Sequence, residues 1–141
     1  MVFVTFKDVK CESWEETAEK LAEILGSEFA RHSELLNSPS RNDMDKAFFR
    51  RIMERGTSVE ELSGALLTLT KMLHEHHKVA PIIIIDEYDT PIQQGHMRGF
   101  YEQVILFMRN LFSGGFKDNR HLSFGFLTGI LRVANESTGA I

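Results

Sequence analysis

The segment that most limits the fold is Ile82-Ile83-Ile84-Ile85-Asp86-Glu87-Tyr88-Asp89, a β-branched apolar run that stops abruptly at adjacent carboxylates. Branching at Cβ crowds a helix and suits a pleated, extended backbone, so the run reads as a strand. It lacks apolar–polar alternation, which is the pattern of a strand covered on both faces, as in a parallel sheet. The acids at its end need an explanation, because ionised groups are costly unless solvated, paired or bound to a cation. At the carboxyl end of a parallel strand they would face the crevice where open α/β sheets bind ligands.

Two further runs read as strands, Val2-Phe3-Val4-Thr5-Phe6 and Leu122-Ser123-Phe124-Gly125-Phe126-Leu127. Helices with readable starts lie between them. Ser13 with Glu16 fits a capping box, and Trp14, Ala18, Leu21, Leu25 and Phe29 then share one face. Asn42 or Asp43 opens a second helix, with Met44, Phe48 and Ile52 inward and Gly56 as its stop. Ser58 with Glu61 repeats the capping box ahead of a stripe of Leu62, Leu66, Leu69 and Leu73. A fourth helix is expected over about 97–112, closed by Ser113-Gly114-Gly115, with Phe100, Tyr101, Phe107 and Phe112 in the core. Strands alternating with helices across long connections imply a parallel sheet joined by right-handed crossovers.

The chain has 141 residues, one domain's worth, of which 43% are hydrophobic and 26% charged, the balance of a globular core with a solvated surface. A net charge of −4 with no basic stripe argues against a nucleic-acid surface. Cys11 is the only cysteine, which excludes an intrachain disulfide and a cysteine-based zinc site. No signal peptide opens the sequence and no apolar run is long enough to span a bilayer, so a cytoplasmic setting is the default expectation. His74-Glu75-His76-His77 does not make a zincin helix, since Lys78 stands where the second histidine is required. Basic imidazoles in the last turn of a helix are the plainer reading.

An apolar strand ending in Asp-Glu is the Walker B pattern, in which the Asp holds Mg²⁺ through water and the Glu polarises the attacking water. Alone, such a run also fits a solvated strand exit. The third strand adds Leu127-Thr128-Gly129-Ile130-Leu131-Arg132, which puts Thr128 at a neighbouring strand end. Taken together, residues 84–92, residues 127–134 and Phe6-Lys7-Asp8-Val9 leading into Ser13-Trp14-Glu15-Glu16 resemble the bacterial AAA-ATPase-like family of P-loop NTPases. The likeness runs in order along nearly the whole chain.

The resemblance implies a partial three-layer αβα sheet of about three strands with four to five helices. These three strands would be neighbours within a larger sheet whose remaining strands lie beyond residues 122–127. It implies ATP and Mg²⁺ in the intact protein, with Asp86 as metal ligand, Glu87 activating water and Thr128 sensing the terminal phosphate. Arg132 would reach a phosphate or pair with the acids; a surface salt bridge is its plain alternative. Family members often carry a nuclease-like domain of the PD-(D/E)XK superfamily.

Two departures stand out. No Gly-Lys pair occurs, hence no Walker A phosphate loop, and Asn135 with Thr138-Gly139-Ala140-Ile141 leaves the family pattern. The chain therefore reads as a central fragment, inactive alone, for which no cofactor is firmly expected. The alternative is a non-enzymatic interaction module that self-associates through an open sheet edge. A two-metal nuclease using Asp86, Glu87 and Asp89 would need a Glu-x-Lys element that is not present. Asp89 itself either backs the metal site or starts the turn at Thr90-Pro91.

Overall fold

A computed structural model describes residues 1–39 and 42–129. In chain order the elements are β1 (Val2–Thr5), α1 (Trp14–Ala30), a 3₁₀ turn (Ser33–Asn37), α2 (Asp43–Met53), α3 (Val59–Leu62), α4 (Ala65–His77), β2 (Ile82–Asp86), α5 (Thr90–Arg98), α6 (Tyr101–Phe116) and β3 (Phe124–Leu127). The strands form one parallel sheet in the order β1-β2-β3. This is the expected partial parallel α/β sheet, with six α-helices among the described residues rather than four or five.

One extra helix comes from a break that the apolar spacing hides. The Ser58 capping box forms in full, but its helix ends after Leu62, and α4 restarts at Ala65. The leucine stripe 62, 66, 69 and 73 is buried across both pieces. The expected fourth helix starts at Tyr101 rather than near residue 97, and the stretch read as a turn at Thr90-Pro91 is itself a helix: α5 opens with Pro91 in its first turn and stops at Gly99, whose φ of 88° only glycine adopts freely. Helix α6 then runs through Ser113-Gly114-Gly115 instead of ending there. Gly115 is a packing device: a Cβ on it would lie 2.8 Å from Leu66 Cβ. The stop expected at Gly56 is made one residue earlier, where Arg55 takes the left-handed turn at φ 59°.

Strands added always in one direction by right-handed crossovers receive all their connections on one face. That rule accounts for the strongest asymmetry in the molecule. Val2, Val4, Ile83 and Ile85 are buried under the helices, while their alternates on the opposite face are bare: Phe3 is 41%, Phe124 61% and Phe126 50% exposed. The expectation that β2 is covered on both faces is thus corrected; Ile82 is exposed and Ile84 half-exposed.

Two core assignments also change. Met44 is 83% exposed and Phe49 is buried in its place, its ring 4.8 Å from that of Phe29. At 3.6 residues per turn, Phe48, Phe49 and Ile52 centre a face roughly a quarter-turn away from Met44. Tyr101, the first residue of α6, is exposed, whereas Phe100, Phe107 and Phe112 are buried. Among the described residues no helix is long and apolar enough to cross a membrane.

The outer edge of β1 is closed by a buried carboxylate. Glu28 Oε2 accepts from Phe3 N–H at 3.1 Å, Arg31 Nη2 at 2.7 Å and His32 Nε2 at 3.1 Å, while Arg31 Nε donates to Oε1 at 2.9 Å. Burial pushes Glu28 upward, but the bonds from His32, Arg31 and Phe3, with the Arg31 charge, outweigh it and hold the carboxyl below its ordinary value of 4.5. A depressed folded-state value stabilises the fold fully above the unfolded value and ceases to as pH falls through the folded one. Glu28→Gln is therefore expected to lower stability at pH 7 and to flatten the stability loss below about 4.5. Urea midpoints measured across pH 3–7 check this; parallel profiles for both proteins would contradict it.

Candidate functional site

The parallel register aligns the strand ends, and there the side-chain chemistry changes. Phe3 pairs with Ile84, and Ile84 with Phe126, as an apolar row on the bare face. One pleat further on, Thr5 pairs with Asp86, and Thr128 follows Leu127 on the other side. Side chains two residues apart on a strand share a face. Thr5, Asp86 and Thr128 therefore form a polar row at the carboxyl end of the bare face.

Hydrogen bonds lock this row. Thr5 Oγ1 donates to Asp86 Oδ2 at 2.8 Å, and Thr128 Oγ1 donates to Asp86 Oδ1 at 2.9 Å. Each hydroxyl also accepts a backbone N–H, Lys7 N to Thr5 Oγ1 at 3.3 Å and Glu87 N to Thr128 Oγ1 at 3.4 Å. The amides fix which way the hydroxyls point, so both oxygens of Asp86 act as acceptors. An ionised carboxylate offers about four lone-pair sites, and two remain for a further ligand.

The backbone turns sharply after Asp86. Glu87 takes a left-handed conformation at φ 53°, uncommon for a residue with a Cβ. Tyr88 N–H donates to Thr128 O at 3.0 Å, and Thr90 N–H to Glu87 O at 3.2 Å. Strained backbone of this kind is concentrated at ligand sites, where surrounding structure holds it in place.

Asp89 occupies the position before α5, but its side chain makes no capping bond there. It is buried, with Gln93 Nε2 at 3.4 Å from Oδ2, and a Cβ on Gly129 would meet its carboxylate at 3.0–3.2 Å. A side chain at 129 would press on this carboxylate, because the acid packs against the exit of β3.

The structure thus brings Asp86, Glu87 and Thr128 to one end of the sheet. Arg132 lies outside the described residues, as do Asn135 and Thr138–Ile141. Thr5 escaped the sequence reading, because only the register of β1 against β2 brings its hydroxyl to Asp86. Its one readable signal is a hydroxyl residue at the end of an otherwise apolar strand.

Among the described residues no group of three or more His, Cys, Asp or Glu could cage a metal ion. The site presents oxygen donors only, one carboxylate flanked by two hydroxyls. That set fits Mg²⁺, which keeps several waters and needs one or two carboxylates, better than a softer metal. The histidines of α4 lie elsewhere; His74 Nδ1 is 3.1 Å from His121 Nδ1, in the loop before β3. Burial, then the Arg120 and His74 charges, hold His121 below its ordinary value.

No curated protein and no solved structure matches the chain. One family model does, that of the predicted AAA-ATPases, over residues 1–138. A match of that span takes in all three strand ends of the polar row and everything between them, and the chain belongs to the AAA-ATPase-like family.

Proposed function

We propose that this chain contributes the cation- and water-handling side of an ATP-hydrolysing unit. The observation that carries the reading is the Asp86 carboxylate, held on both oxygens at the carboxyl end of the central strand, with Glu87 next in the chain. Bound there, Mg²⁺ would neutralise charge on the nucleotide phosphates. Asp86 would hold the ion through water, presenting the two lone pairs that the threonines leave. Glu87 would accept a proton from the attacking water, and Thr128, the exposed member of the row, would orient that water through its remaining lone pair, or meet the terminal phosphate by turning its proton from Asp86. Arg132 is a further candidate for phosphate contact. Phosphoryl transfer depends on positioning and charge stabilisation more than on covalent chemistry, so misplacing any of these groups costs rate.

The 141 residues contain no Gly-Lys-Ser/Thr loop to cradle the β- and γ-phosphates. Taken alone they are expected to turn over ATP negligibly. With a strand, phosphate loop and helix joined ahead of them, Mg²⁺-dependent hydrolysis is expected. It should fall at least ~100-fold in Glu87→Gln while nucleotide affinity is kept. Hydrolysis indifferent to Glu87→Gln and to Asp86→Asn would sink this reading.

A second reading rests on the bare face and on β3, whose outer edge pairs with no strand among the described residues. Exposed Phe124, Phe126 and Leu127 beside an unpaired edge suit association with another chain. Sedimentation of the chain is expected to show self-association that rises with concentration and weakens in Phe126→Lys. A sharp monomer at every concentration would remove this reading.

A further inference from the structure

We infer that Thr5 is a positioning residue of the cation site, acting through Asp86; the inference rests on the reading of Asp86 as the cation's carboxylate. The terminal torsion of an Asp side chain is broad, so one hydrogen bond leaves the carboxylate free to swing. Thr128 holds Oδ1 from β3 and is exposed, so water competes for that contact. Thr5 holds Oδ2 from the opposite strand at 2.8 Å and is half-buried. Its own hydroxyl is oriented by Lys7 N–H, which occupies a lone pair and leaves the proton for Asp86. Clamped from both sides, the carboxylate keeps one plane, and its remaining lone pairs keep one direction.

A cross-strand threonine next to a polar partner also stabilises a sheet, and that role alone predicts something different. A threonine that serves the sheet only through its branched shape is replaced by valine without loss, since valine has that shape and favours strands. A positioning hydroxyl is not.

The test is binding of Mn²⁺, as a stand-in for Mg²⁺, to the 141-residue chain. It is followed by the loss of the free-ion electron paramagnetic resonance signal, alongside urea midpoints. Thr5→Val is expected to keep the urea midpoint and weaken Mn²⁺ binding about tenfold, the scale seen when groups that orient a metal ligand are removed. Thr5→Ser is expected to restore binding to within about twofold, because only the hydroxyl matters. Should valine disturb the fold, Thr5→Ala against Thr5→Ser makes the same comparison. Asp86→Asn separates the two layers of the claim. If it abolishes binding while Thr5→Val binds like the unaltered chain, the role of Thr5 is overturned and that of Asp86 stands. If Asp86→Asn binds Mn²⁺ as before, the cation reading falls and Thr5 falls with it.

Discussion

One carboxylate gripped by hydroxyls from both neighbouring strands is the contact on which the candidate site depends. Neither grip is local in sequence. Thr5 and Thr128 reach Asp86 only because three parallel strands end level with one another, and a shift of one residue in either register would turn a hydroxyl to the other face. The site is therefore a property of the sheet before it is a property of a motif.

The rest of the molecule keeps that register. Val2, Val4, Ile83 and Ile85 are buried in one core cluster with residues of α1, α4 and α6, which fixes the face each strand turns to the core. At the outer edge, Glu28 takes the Phe3 amide that would otherwise be open to a foreign strand, Arg31 neutralises the acid so placed, and His32 adds a hydrogen bond to it. The edge of β1 is thus finished, whereas β3 presents exposed apolar residues at the other side of the sheet. The asymmetry suits a piece of a sheet that continues past β3, and it puts the polar row between a closed edge and an open one.

Much of this was legible in the chain. The three strands, the parallel arrangement and the ends at Asp86 and Thr128 follow from β-branched runs and from polar residues that stop them. Helix ends were misread because glycine has two uses. Gly115 was expected to end a helix and instead lets α6 approach Leu66, while Gly99, inside the helix expected over 97–112, is the glycine that ends one. Met44 was placed inward by its spacing from Phe48, but the face is set by what α1 offers, and Phe49 meets Phe29. Apolarity of Ile82–Ile85 predicted cover on both faces; composition does not report which neighbours are present. Thr5 was invisible for the corresponding reason, because register is a relation between segments.

The most direct test is nuclear magnetic resonance detection of the Thr5 and Thr128 hydroxyl protons, with scalar coupling across the hydrogen bond to the Asp86 carboxyl carbon. Coupling of both protons to that one carbon, with the half-buried Thr5 hydroxyl protected from exchange more than the exposed Thr128 hydroxyl, is the result expected. Hydroxyls that exchange freely with water, with no coupling to Asp86, would contradict the clamp and the site built upon it.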